Sequence, residues 1–293
     1  MMDRRHFSAA LLAALASAPA LARADGTTEL QRQMADIEKA SGGRLGVCIL
    51  DTGSGLRAGH RADERFPMCS TFKFLAAAAV LSRVDQGKER LERRIVIGQR
   101  DLIPHAPVTG KHLGEPGLTM AELCGAAVTL SDNPAANLML ASFGGPAGLT
   151  RYLRSLGDTQ TRLDRNEPGL NESLPGDPRD TTTPAAMLAT MQKILLGDAL
   201  LPASRAQIQS WLDGCQTGAR RLRAGVPADW AVGDKTGSGS RGSTCDIAIL
   251  RPPGRAPILV TAYLTGTEAP MDVRDAAIAS AGALVNRASR PQS

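Results

Sequence analysis

The spacing of apolar positions changes along this chain, and the changes mark out its elements. Leu30, Met34 and Ile37 recur at the intervals of a helix face, behind a Thr28/Gln31 pair that suits a capping box. Gly42-Gly43 ends that helix, and Arg44 to Leu50 then reads as a strand. Near the C-terminus, Trp230 to Lys235, Thr244 to Arg251 and Ile258 to Leu264 read as three more strands, separated by Gly and Pro. A last helix runs from about Asp272 to Arg287. Strands this close in sequence predict an antiparallel sheet, with the first strand returning from the other end of the chain to join it. The two terminal helices then cover one sheet face.

Between Pro67 and Asp213 helical spacing takes over almost completely. Phe72 to Val84 is apolar nearly all round, which predicts a helix buried in the core. Pro134 to Phe143 and Pro184 to Leu196 each begin with Pro in a first helical turn. Leu163 to Asp180 is rich in Gly, Pro, Asn and Asp and reads as a long surface loop, a kind of segment that usually carries function. The predicted class is α+β, an antiparallel sheet flanked by helices beside an all-helical lobe. Residues 25–66 and 214–293 form the first part and residues 67–213 the second. No internal repeat interrupts this plan.

A chain of 293 residues with 43% hydrophobic content can fill a large core, divided here between two lobes. Its formal charge of +5 is scattered over short stretches, and aromatics make up only 3%. Without a basic run or a stacking platform, a nucleic-acid role has little support. Residues 1–24 stand apart from the fold. Arg4-Arg5-His6-Phe7 precedes an Ala/Leu run ending at Leu21, and Ala22-Arg23-Ala24 offers a small-x-small cleavage site. That run is too short and too Ala-rich to span a membrane. Paired arginines followed by Phe suit a twin-arginine export signal, an ordinary secretory signal being the other reading. Either one delivers the protein outside the cytoplasm. Five widely spaced cysteines, Cys48, Cys69, Cys124, Cys215 and Cys245, leave at least one unpaired and form no C-x-x-C pair, which points to buried, inert thiols.

Four strings carry the chemistry: Ser70-Thr71-Phe72-Lys73, Ser131-Asp132-Asn133, Glu167-Pro168-Gly169-Leu170-Asn171 and Lys235-Thr236-Gly237. They supply a nucleophile, two amines, a second hydroxyl and a carboxylate, a full set for acyl transfer with hydrolysis. Ser70 and Lys73 share a face at the start of a buried helix, where burial lowers a lysine's pKa toward that of a useful base. Glu167 and Asn171 share a face if the turn between them is helical. Each string also has a structural explanation: Ser70 and Asn133 as helix N-caps, Glu167 as a first-turn acid, Lys235-Thr236-Gly237 as a strand entering a turn. Ser-x-x-Lys is expected about once by chance in a chain this long, and each of the others in about one chain in twenty. Their joint appearance in this order is what points to chemistry.

With these strings in place, the chain resembles a class A serine β-lactamase over essentially its whole mature length. S-x-x-K, S-D-N and K-T-G mark that family and the penicillin-binding proteins. The resemblance implies a five-stranded antiparallel sheet flanked by helices, an all-helical lobe, and an active site in the cleft between them. It implies that Ser70 attacks the lactam carbonyl and that Lys73, or Glu167 through a water, removes its proton. Ser131 then relays a proton to the ring nitrogen, Asn133 contacts the substrate's acylamide group, and Glu167 with Asn171 activates the deacylating water. Lys235 and Thr236 bind the substrate carboxylate, and backbone N–H groups of Ser70 and Ser238 form the oxyanion hole. Arg165 and Asp180 match a buried ion pair that holds the loop bearing Glu167.

Other positions that vary in the family carry further expectations. Thr244 stands where an arginine often grips the carboxylate, and Arg221 supplies the guanidinium instead. His105 takes the place of an aromatic residue at the cleft entrance. Gly239 stands where some members carry a cysteine bridged to the equivalent of Cys69, so that bridge is absent, and Cys124 lacks its usual helical partner at Ala77. The implied protein is a periplasmic monomer that hydrolyses penicillins and cephalosporins, conferring antibiotic resistance, with β-lactam substrates and inhibitors as partners. It needs no cofactor or metal, and keeps no membrane attachment once its signal is removed. His6, His60, His105 and His112 offer no close-spaced ligand set. The rival is a penicillin-binding D-alanyl-D-alanine carboxypeptidase or transpeptidase, which lacks the deacylating pair that Glu167 and Asn171 provide.

Overall fold

A computed structural model describes residues 28–288, so the expected export signal lies outside the described residues. Helix α1 covers residues 28–41 and strand β1 follows at Arg44–Asp51. With β2 (Arg57–His60), β7 (Ala231–Ser238), β8 (Thr244–Arg251) and β9 (Ile258–Thr265) it forms one five-stranded sheet in the order β2-β1-β9-β8-β7. Every neighbouring pair is antiparallel, and β1 pairs with β9 over its full length, Arg44 opposite Thr265 and Asp51 opposite Ile258. The first strand therefore does return to its partner from the far end of the chain.

The long strands are buried at nearly every position because both sheet faces are covered. Leu45, Val47, Ile49, Val260, Ala262 and Leu264 pack on one side with Leu30 and Met34 of α1 and with Ile278, Ala281 and Leu284 of α8 (Met271–Ala288). The terminal helices thus share a sheet face, as the sequence predicts. On the other side, Ile247, Ile249, Leu259 and Tyr263 join a larger core built by the middle of the chain.

That middle part holds α2 (Phe72–Asp85), α3 (Met120–Thr129), α4 (Asn133–Ala141), α5 (Gly145–Ser155), α6 (Pro184–Leu195) and α7 (Pro202–Asp213). Helix α2 is buried from Phe72 to Leu81, including all four residues from Ala76 to Ala79, as its apolar circumference requires. Two small ribbons accompany the helices. β3 (Phe66–Pro67) pairs with β6 (Thr181–Thr182), and β4 (Arg94–Ile97) pairs with β5 (Gly114–Thr119). These ribbons depart from an otherwise helical pattern, because neither carries an apolar face long enough to announce a strand. β3–β6 matters to the site: it clamps the entry to the Ser70 turn against the exit of the 163–180 loop.

Candidate active site

Ser70 lies in a 3₁₀ turn, Cys69–Thr71, immediately before α2. It is not the helix N-cap that its position suggested: Thr71 holds that place, with no capping side-chain bond, and the Ser70 hydroxyl instead lies 3.3 Å from Glu167 Oε1. Cys69 holds φ at +44°, a left-handed conformation in which non-glycine residues are uncommon, so the turn is bent to present Ser70. Lys73, fully buried one helical turn on, places Nζ 3.1 Å from the same Glu167 Oε1. The Lys73 ammonium also donates to Ser131 O at 2.7 Å, Asn133 Oδ1 at 2.6 Å and Ser131 Oγ at 3.3 Å.

Ser131 reaches the cleft from the turn between α3 and α4, with φ at +60°. Its Oγ accepts from Lys235 Nζ at 3.1 Å on β7, so one hydroxyl bridges the amines of two motifs. Asp132, not Asn133, caps α4: its Oδ1 accepts from Ala135 N at 2.9 Å, and its Oδ2 from Val108 N and Thr109 N at 2.9 Å each. That leaves Asn133 free to serve Lys73 with its oxygen while its amide donates to Pro104 O at 2.9 Å.

Glu167 and Asn171 flank a 3₁₀ turn, Gly169–Asn171, and do share a face: Asn171 Nδ2 donates to Glu167 Oε2 at 2.5 Å. Asn137 holds the Glu167 backbone from below, donating to Glu167 O at 3.0 Å and accepting from Glu167 N at 2.9 Å. Sequence reasoning missed Asn137. Its signal was available, since it lies four residues after Asn133 on α4 and therefore on the same face. The 163–180 loop is closed by the Arg165 Nε to Asp180 Oδ2 contact at 2.6 Å, with Asp164 N and Arg165 N donating to Asp180 Oδ1.

Strand β7 supplies the opposite wall. A Cβ on Gly237 would come within 2.9 Å of Ser70 N, so only glycine lets the strand lie against the nucleophile's amide. Thr236 is buried with its Oγ1 2.5 Å from Thr217 Oγ1, and Ser238 is exposed beyond it. Arg221 is buried beneath this strand. It pairs with Asp275 Oδ1 at 2.8 Å, donates to Gly237 O and Cys245 O, and reaches Ser238 Oγ at 2.8 Å. His105 is exposed beside Asn133, whose backbone N–H donates to His105 O at 3.0 Å. A Cβ on Gly239 would lie 2.8 Å from Cys69 Sγ, and all five cysteines are free.

Burial dominates the electrostatics. It pushes the Lys73 amine down to about 8, helped by the positive charge of Lys235 and opposed by Glu167. Lys235, fully buried, is lowered for the same reason. Beneath it, Asp234 and Asp246 are both raised by desolvation. The chemistry this arrangement allows is nucleophilic attack by Ser70 with two adjacent proton acceptors, a hydroxyl relay at Ser131 and a cationic wall on β7. Among the described residues no group of three or more His, Cys, Asp or Glu side chains is arranged to hold a metal ion.

Comparison with known proteins agrees with this geometry. Residues 29–288 match the model of the β-lactamase enzyme family. The chain is 47% identical over 271 residues to β-lactamase CTX-M-8 of Citrobacter amalonaticus, covering 92% of each chain. It is 46% identical to β-lactamase L2 of Stenotrophomonas maltophilia, covering 98% of this chain and 99% of that one. Among solved structures, an ancestral (GNCA) class A β-lactamase superposes with a TM-score of 0.87 at 65% identity, covering 88% of this chain and 99% of its own.

Proposed function

The chain belongs to the class A β-lactamase family, and from that premise we propose that it hydrolyses penicillins and cephalosporins through an acyl-enzyme on Ser70. Ser70 Oγ attacks the lactam carbonyl while its proton passes to Lys73 or to Glu167, both of which lie within reach of the hydroxyl or of each other. The C–N bond of the ring breaks, and Ser131, which bridges the two lysine amines, hands a proton to the departing nitrogen. Ser70 N and Ser238 N stabilise the oxyanion, where one such donor is worth roughly 10²–10³ in rate.

Lys235 and Thr236 bind the substrate carboxylate. Arg221 assists from behind: committed to Asp275 on one side, it orients and polarises the Ser238 hydroxyl on the other. Asn133 receives the acylamide group and His105 borders the cleft entrance. The mature enzyme works without a cofactor as a periplasmic monomer after export by its twin-arginine leader.

The observation that carries this reading is the contact of Glu167 with both Ser70 and Lys73, since a carboxylate there can activate a water against the acyl-enzyme. A penicillin-binding peptidase has no use for that group. The test is Glu167→Ala exposed to a penicillin and examined by intact mass. A stable adduct on Ser70 with the mass of the whole drug is expected, and Ser70→Ala should form none. Turnover by Glu167→Ala at the parent's rate removes Glu167 from deacylation.

A further inference from the structure

Two thiols that the chemistry above does not use lie together behind the oxyanion hole. Cys69 precedes the nucleophile, and Cys245 on β8 lies directly across from Gly237 on β7. A Cβ on Gly237 would stand 2.6 Å from Cys245 Sγ and 3.0 Å from Cys69 Cβ, so both side chains reach into the space that this glycine leaves empty. The Cys245 thiol reaches the backbone beside Cys69, donating to Met68 O at 3.3 Å. Both are buried, whereas Cys215 lies apart against Thr217 and Cys124 is enclosed in the helical core.

We propose that Cys69 and Cys245 form a disulfide site, closed by a disulfide oxidant, that clamps the nucleophile turn to strand β8. In the step, each thiol gives up one proton and one electron, an S–S bond forms between Cys69 and Cys245, and the oxidant's own S–S bond is reduced to two thiols. Burial holds the Cys245 thiol well above its ordinary pKa, so the folded reduced protein exchanges slowly and the bridge closes fastest when the chain refolds in the presence of the oxidant. The bridge would restrain a turn whose Cys69 sits at φ +44°, and it would span the chain from the turn before α2 to the start of β8. A loop that long gives a disulfide its greatest leverage on the unfolded chain.

The test needs no assumption about substrate. The reduced protein is unfolded, refolded with glutathione disulfide, denatured again, treated with iodoacetamide and mapped by mass. Alkylation of only Cys48, Cys124 and Cys215 is expected, with a cross-linked peptide joining Cys69 to Cys245. Melting should shift upward by at least about 5 °C and fall back with dithiothreitol. Cys245→Ala, and independently Cys69→Ala, should lose both the cross-link and the shift, while Cys215→Ser should keep them. Five alkylated cysteines after oxidative refolding, or linkage through Cys48, Cys124 or Cys215, overturns the proposal.

Discussion

Lys73 has no exposed surface, yet four oxygens surround its amine, from Ser131 twice, Asn133 and Glu167. Such a site holds an ammonium well, but its cost of burial brings the amine down to about 8. The sign of the resulting pH dependence follows directly. Below about pH 8 the charged form, which cannot accept the Ser70 proton, dominates and the neutral fraction grows about tenfold per pH unit; above it the neutral form dominates. If Lys73 is the acylation base, kcat/KM for a good penicillin should rise about tenfold per pH unit between pH 6 and 7.5 and level off above 8. A profile already flat across that range assigns the proton to Glu167. The residues of this triangle were legible in the sequence because acyl transfer demands particular functional groups at fixed spacings. The work of Asp132 was not, since it is done on backbone amides that only the fold brings near; Asn137 offered its place on the α4 face, but not the Glu167 backbone that it holds. Nor could sequence tell that Arg221 would be buried and tied to Asp275, which depends on α8 packing across β8 and β9.

The 163–180 loop shows how one element keeps a catalytic carboxylate in place. Asp180 accepts from two backbone amides and from Arg165, and its own carbonyl receives Met68 N at 3.0 Å, just ahead of the nucleophile turn. Asp180→Ala removes the acceptor for all three donors, one of them a partly buried guanidinium that keeps Glu172 as a second partner. The variant should lose about 2–3 kcal/mol in denaturant unfolding and accumulate acyl-enzyme because deacylation slows. Lost stability with unchanged kcat would show that Glu167 is held by Asn137 alone. At this scale the sequence was most readable where burial was greatest. β1, β8 and β9 are apolar on both faces, and their predicted ends lie within one residue of the observed ones. β2 buries only Ala58 and was missed, and β5 carries Gly114, Pro116 and Gly117 with a register shift in its ribbon, which hides any two-residue period.

At the scale of the whole molecule, the sheet has two cores but no face of its own to spare. Along β8 and β9, Ile247, Ile249 and Leu259 belong to the core of the helical lobe, while Ala248, Leu250 and Val260 belong to the core under α1 and α8. Neither core can melt without exposing alternate residues of strands that the other core still holds. The active site lies at the edge of this arrangement: Ser70 and Lys73 come from the helical side, Lys235 and Thr236 from β7. The two tryptophans report the two sides separately, Trp211 on α7 within the larger core and Trp230 packed against the smaller one. Trp211→Phe leaves only Trp230 to fluoresce, and Trp230→Phe only Trp211. Urea unfolding followed in each variant, and by far-UV circular dichroism in the parent, should give coincident transitions once each midpoint is corrected for its variant's own stability. A curve from Trp230 that falls while helix signal and Trp211 persist would mean that the lobes unfold independently and that the sheet's alternating strands do not couple them.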